Sequence, residues 1–417
     1  MHVLWIKTDL LFPLNTGGRI RTFEMLRAIR RRHEVTYLAL DDGTVTPEAL
    51  EHAQQYATRV ELVRQHRPEK GSIAFFGALL ANLASSRPYV IDRYRSTEMG
   101  ERIRHWCAQD IDLLVCDFIF PAPAVPATAP VPRILFQHNV EARIWERHAA
   151  VGRTPLHRAY FGLQYRRMRR TEQALCAAFD GVIAVSESDA DELRSKYELA
   201  NVESIPTGVN TEFFQPTSAI RRVPKHLLFL GAMDWMPNAD GVRWFVKEVL
   251  PLVRRHEPDA HLTIVGRDPI ASVLALHDPD GGVVVTGTVP DVRPHLENSS
   301  VFVVPLRIGG GTRLKLFEAL ATGIATVSTS IGAEGLPLAD GDHLRIADTP
   351  SAMADAIVAL LRDPAAAASM GERGARYVRG TFGWDGVAQQ FLDACIRLGG
   401  RSVEPDVEST GVRAAES

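Results

Sequence analysis

Along the first half of the chain, short apolar runs alternate with stretches whose apolar residues recur at helical spacing. HVLWIKTD, HEVTYLAL, DLLVCDF, RILFQHN and GVIAVSE read as strands, and GGRIRTFEMLRAIRRR as a helix with Phe23, Leu26 and Ile29 or Arg30 marking its two faces. The pattern then restarts. HLLFLGAM, HLTIVGRD, GVVVTGTV, SVFVVPL and ATVSTS read as strands, PNADGVRWFVKEVLPLVRRH as a helix, and GTRLKLFEALATG as a helix with a glycine stop. Strands alternating with helices predict parallel βαβ units and a doubly wound α/β sheet, here twice in series. A Pro-containing joint, SIPTGVNTEFFQP followed by RRVPKH, puts the boundary near residues 206–222. The expected division is an N-terminal Rossmann-like domain over 1–205, a C-terminal one over 206–380, a last helix over 381–398 and a polar, disordered tail over 399–417. Two such domains bind a ligand in the cleft between them, at the carboxyl ends of their strands.

Composition narrows the function classes. The chain has 417 residues, 46 % hydrophobic and 23 % charged, as an ordinary two-domain globular protein would. A net charge of −3 gives no reason to expect nucleic acid as a partner. Cys107, Cys116, Cys176 and Cys395 are far apart with no CxxC pair, a pattern that suits reduced cytoplasmic thiols better than disulfides or zinc. The apolar start reads as a strand and its loop, not a signal peptide, and Ile73–Leu83 is shorter than the ~20 apolar residues a bilayer span needs. Peripheral contact with the inner membrane stays open: the helix HRAYFGLQYRRMRRTEQAL bears Arg166, Arg167, Arg169 and Arg170, which read either as a solvated face or as contacts to lipid headgroups.

The chemistry concentrates in RIGGGTRLKLFEALATG. Gly309, Gly310 and Gly311, with Thr312, lead from a strand into a helix, so bare backbone and the positive end of a helix dipole face a ligand; a diphosphate is the natural guest. Arg313 and Lys315 add positive charge, and Glu318 is placed to accept hydrogen bonds from a ribose. The spacing is not that of a Walker A loop. The bland alternative is a tight βα turn followed by a solvated helix face. In the first half, Gly17 and Gly18 sit between the first strand and first helix, followed by Arg19 and Arg21, and offer the same kind of unhindered helix start. His138 follows RILFQ at the carboxyl edge. It reads as a ligand-contacting, proton-shuttling group, or else as a satisfied strand-end histidine that leaves Glu141 as the proton acceptor.

TGGRIR, QHNVEARIWERHA, GVIAVSESDADEL, SIPTGVNTEFF, LLFLGAMDWMPNADGVRWFVKEVLP, LTIVGRDP, VTGTVPDVRPHL and VFVVPLRIGGGTRLKLFEALATGIATVSTSIGAEGL follow one another in the order seen in family-4 retaining glycosyltransferases, and the chain resembles that family over nearly its whole length. The MDWMPNADG segment and the GGGTRLK variant most resemble a bacterial branch linked to exopolysaccharide and exosortase gene systems. The resemblance implies the GT-B fold, with the last helix, WDGVAQQFLDACIRL, packing back toward the N-terminal domain. It implies transfer with retention from a UDP- or GDP-sugar to a saccharide, lipid-linked or small-molecule acceptor. The family's pair of donor-contacting glutamates, eight positions apart, is represented here by Glu318 alone; the first falls on Gly310. The basic pair after the first strand of the C-terminal domain is also absent, which shifts the diphosphate charge to Arg313 and Lys315, with Arg267 nearby. Without a DxD motif in a suitable loop, no metal or other cofactor is expected. Rival readings are a nucleotide-sugar epimerase and a binding protein without turnover.

Overall fold

The computed structural model describes every residue except 66, 70, 151–153, 217–221, 309–313, 335 and 401–417, together with the side chains of 147 and 150. The glycine loop Gly309–Gly311, Thr312 and Arg313 therefore lie outside the described residues, as does the tail beyond residue 400.

Two parallel sheets form. The first contains β1 (His2–Lys7), β2 (Glu34–Asp41), β3 (Arg59–Arg64), β4 (Leu113–Asp117), β5 (Arg133–Gln137), β6 (Gly181–Ala184) and β7 (Val202–Ser204), in the order β3-β2-β1-β4-β5-β6-β7. The second contains β8 (His226–Leu230), β9 (His261–Val265), β10 (Val283–Gly287), β11 (Val301–Val304), β12 (Ala325–Ser328) and β13 (Arg345–Ile346), in the order β10-β9-β8-β11-β12-β13. Central strands such as β4 and β5 are continuous apolar runs because helices cover both of their faces. Each sheet reverses its winding once, between β1 and β4 and between β8 and β11. Those two reversals are where such folds leave room for a ligand.

The doubly wound α/β architecture is as the periodicity indicates. Two features differ from it. β3 and β7 escape the apolar pattern: RVELVR is an edge strand with alternating charge, and VES is three residues long. The helix expected over 237–256 is interrupted by a π-helical segment at Phe245–Val249, just before Pro251, whose missing N–H cannot extend an ordinary α-helical ladder. The apolar stretch Ile73–Leu83 is a helix started by Ser72, whose side chain accepts the N–H of Phe75.

The C-terminal helix Trp384–Leu398 lies against the first helix, Gly17–Arg30, and under the first sheet. Its Phe391 is 5.6 Å from Trp5 and 4.9 Å from Phe136, ring centre to ring centre, so the last turns of the chain complete the first domain's core. The joint between the domains is pinned by close packing. Val209 pairs with Gly383, and a Cβ on Gly208 would lie 2.6 Å from the Trp384 indole.

Gly266, at the end of β9, meets Gly231 at the end of β8, where a Cβ would come within 1.6 Å of the Gly231 carbonyl oxygen. Since that neighbour is backbone, Gly266→Ala has to part the two strand ends. The expected cost is about 3 kcal/mol or more, measured as a lower midpoint in urea unfolding, whereas Gly17→Ala, with open space around it, should leave the midpoint unchanged.

Candidate active site

At the winding reversal of the first sheet, four elements converge on one carboxylate. Asp117, wholly buried at the end of β4, accepts hydrogen bonds from Trp5 Nε1 (3.0 Å), Lys7 Nζ (2.8 Å) and Thr22 Oγ1 (2.6 Å). His138 Nε2 lies 2.8 Å from its second oxygen, off the line of a well-aligned hydrogen bond. Burial alone would raise the Asp117 pKa, but the Lys7 ammonium and His138 outweigh it and hold the carboxyl below the usual carboxylate range.

This cluster fixes what His138 can do. Arg21 donates to its Nδ1 at 3.1 Å, and because a guanidinium has no acceptor, the ring proton belongs on Nε2, facing Asp117. Burial, only partly offset by Asp117, lowers the His138 pKa to about 3, so the ring is neutral at physiological pH. It stacks on Phe118 at 4.0 Å, and Phe118 itself sits at φ 67°, a left-handed conformation that a bulky residue adopts only under constraint. Both nitrogens thus face protein groups and the side chain is 4 % exposed, the geometry of a positioning group.

Gly18 serves this packing, since a Cβ on it would lie 3.1 Å from the Phe118 ring, whereas Gly17 has nothing within 4 Å and leaves the helix start bare. Arg19 is tied to Asp9 at 2.6 Å, and Arg21 also reaches Thr207 of the interdomain joint at 2.7 Å.

Glu141 begins the helix that follows β5 and is buried beside a second carboxylate, Glu172. Glu172 caps that helix from outside, accepting the N–H groups of Glu141 (2.8 Å) and Ala142 (3.0 Å) as well as Gln137 Nε2 and the Tyr197 hydroxyl. Burial, with the Glu172 charge adding to it, raises the Glu141 pKa to about 7. A carboxyl that titrates there can take up a proton near neutral pH.

At the reversal of the second sheet, Lys315 points inward. Its Nζ donates to Asn238 Oδ1 at 2.6 Å, lies 4.4 Å above the Phe229 ring and would touch a Cβ on Gly231 at 3.0 Å. Asn238 is oriented in turn by donating to the Ala232 carbonyl at 2.8 Å. Glu318, one turn along the helix Leu314–Ala321, is half-buried; burial raises its pKa to about 7 although Lys315 opposes the shift. Arg267 is elsewhere occupied, exposed beyond β9 and paired with Asp268 at 2.6 Å and Asp234 at 3.7 Å. Lys315, Glu318 and Asn238 are thus together, Arg267 stands at their edge, and Gly309–Arg313 lie outside the described residues.

Asp117, Lys7 and Asn238 were not singled out from sequence. The available signal was a charged residue closing an apolar strand, as in HVLWIK and LLVCD, which marks a buried ion pair at a sheet's carboxyl edge. A hollow of about 490 Å³ was also invisible in sequence. It opens beyond β1 and β2, lined by Asp9, Phe12, Asp42, Arg67, Arg93 and Tyr94 among others, and the Nε atoms of Arg67 and Arg93 have no hydrogen-bond partner among the described residues.

Removing the shared carboxylate with Asp117→Ala leaves Lys7 and Arg21 buried near each other without it. The expected loss is about 3–5 kcal/mol of unfolding free energy, read by chemical denaturation; Asp9→Ala, which breaks a partly exposed pair, should cost about 1 kcal/mol or less.

Two family models match in succession: "Glycosyltransferase Family 4" over residues 16–213 and "Glycosyl transferases group 1" over residues 224–363. Among curated proteins, a 44.6 kDa protein of the Klebsiella pneumoniae cps region is 21 % identical over 83 % of this chain and 87 % of its own length. A phosphatidyl-myo-inositol mannosyltransferase of Mycobacterium leprae is 31 % identical over 51 % of this chain and 58 % of that protein. Solved structures with the same fold include sucrose-phosphate synthase from Thermosynechococcus elongatus (TM-score 0.64, 18 % identity, 96 % of this chain and 100 % of that one). The Anabaena protein HepE, in complex with UDP and glucose, is another (TM-score 0.61, 13 % identity, 94 % and 98 %). Two Rossmann-like parallel sheets with a family-4 domain followed by a group 1 domain make this chain a glycosyltransferase of the GT-B fold, in family 4.

Proposed function

We propose that the protein moves a hexose from a nucleoside-diphosphate sugar, UDP- or GDP-linked, to a saccharide or lipid-linked acceptor with retention of the anomeric configuration, in the assembly of a polysaccharide or glycolipid. The observation that supports this most is the inward Lys315 ammonium, 2.6 Å from Asn238, beside the bare backbone of Gly231 at the second winding reversal. A diphosphate there meets a full positive charge with few side chains in the way. The Glu318 carboxylate, one turn on, suits the two vicinal hydroxyls of a ribose.

In the proposed step, the bond from the anomeric carbon to the diphosphate oxygen breaks and a bond to the acceptor hydroxyl oxygen forms on the same face. The hydroxyl proton goes to the departing phosphate oxygen or to Glu141. Lys315 stabilises the charge gathering on the leaving group, and with Gly309–Thr312, Arg313 and Arg267 it forms the donor side. His138, Gly17 and Gly18 shape the opposite wall. Charge from protein groups replaces a metal ion in this reading, so activity should survive EDTA. The proposed acceptor place is the hollow beside β1 and β2, where Arg67 and Arg93 suit an anionic group. Relatives named for phosphatidylinositol-linked mannose transfer favour an acceptor carried on a lipid at the cytoplasmic face.

Incubation with UDP-, GDP- and ADP-sugars plus membrane extract should release free nucleotide from one of them; release from none would contradict the assignment. Lys315→Ala should weaken binding of that donor about tenfold or more, the value of a charge-assisted contact. The Glu318 pKa of about 7 gives a direction for pH. Below it the carboxyl is protonated and accepts poorly, so donor affinity should rise from pH 6 to pH 8, and Glu318→Gln should flatten that rise in a calorimetric titration.

A further inference from the structure

The helix Ile73–Leu83 has the wrong surface for a helix on the outside of a protein in water. Its inner face, Phe75, Ala78, Leu79 and Asn82, is turned to the body of the domain: Phe75 packs on Tyr89, and Asn82 bonds Gln164 and Asp92. Its outer face should then be polar. Instead it consists of Ile73 (92 % exposed), Phe76 (57 %), Leu80 (69 %) and Leu83 (47 %), and the helix contains no charged residue at all. Contiguous exposed side chains of this size mark a surface that is covered in use.

The neighbouring helix Pro155–Ala177 supplies the border. It carries Arg158, Arg166, Arg167, Arg169 and Arg170, and its one acidic residue, Glu172, is buried. Arg167 joins the two helices directly, donating to the carbonyls of Asn82 (2.9 Å) and Leu83 (2.8 Å). Leu156, Leu163, Arg167 and Arg170 follow one flank of that helix at spacings of seven, four and three, and Leu156 is itself 77 % exposed.

We propose that this face docks on an anionic lipid bilayer, with the helix Ile73–Leu83 lying in the interface and the arginines of Pro155–Ala177 on the headgroups. An apolar helix of about 16 Å, bordered by cations on its neighbour, is too short to span the hydrocarbon core but long enough to lie in its boundary. The cationic rim in a chain of net charge −3 is a local complement to lipid phosphate. The same rim disfavours a second copy of the chain: a two-fold contact would set arginines against arginines. Position adds a reason that rests on the transferase reading. Arg67 and Arg93, which line the hollow assigned to the acceptor, stand on the segments just before and just after this helical region, so the docking face and the acceptor hollow are built from one stretch of chain.

The test uses the whole chain and sedimentation with vesicles of phosphatidylcholine alone or mixed with phosphatidylglycerol. Binding should require phosphatidylglycerol and weaken with salt. Phe76→Ser combined with Leu80→Ser should lower it at least tenfold, with unchanged circular dichroism and unchanged nucleotide release on a water-soluble acceptor. Arg166→Gln and Arg170→Gln should each lower it about fivefold. No binding to the mixed vesicles, equal binding by the serine variant, or a dimer in light scattering that the serine variant dissolves would each overturn the proposal. A protein that docks on vesicles yet releases no nucleotide would contradict the transferase assignment and leave the docking face standing.

Discussion

The first domain is organised around the charge of Asp117. A carboxylate with no exposure is tolerable only if it is hydrogen-bonded and its charge is matched, and here β1, the first helix and the segment after β5 do so for Asp117 on β4, through Lys7 and Trp5, Thr22, and His138. Because the carboxylate and its partners together come from four elements, the cluster sets the spacing of the strand ends at the first winding reversal. Arg21 carries the same network outward to Thr207 in the joint between domains. The electrostatics of the wall and the placement of the second domain are thus coupled through a single side chain.

The second domain solves the same problem with less charge. Among the described residues its wall has glycines that let strand ends touch, Gly231 against Gly266, and Lys315, drawn in over Phe229 and held by Asn238. Bare backbone with an inward cation recognises an anion by proximity, while a wall of neutralised ion pairs binds none strongly. That asymmetry is the physical reason for putting the donor on the second domain and the acceptor on the first. Trp384 and Phe391 bind the C-terminal helix to the first domain, and Arg31 bridges Asp385 and Glu212 across the joint.

What could be read from the sequence follows from what periodicity encodes. Strands buried on both faces announce themselves as apolar runs, and this gave the doubly wound architecture and its repetition. RVELVR and VES did not, because an edge strand needs only one buried face and a short one has no period. At the site, sequence located strand ends and helix starts but not the directions of side chains. Nothing in RILFQHN says that the His138 ring is clamped between Arg21 and Asp117, because both partners come from distant segments. Lys315 and Glu318 share a helix, so their proximity was legible; the inward turn of Lys315 toward Asn238 depends on a residue 77 positions away. The exposed face of Ile73–Leu83 was the opposite case: its apolarity was evident, and only the fold showed which side chains stay uncovered.

The central claim is that nucleotide binds at the second winding reversal, between the ends of β8 and β11. Hydrogen–deuterium exchange of the whole protein with and without UDP or GDP addresses it most directly. The account predicts slowed exchange in residues 231–238 and 305–318 with at least one of the nucleotides, and little change in the sheet of the first domain. Protection confined to the first domain, around residues 7–21 and 117–141, would contradict it.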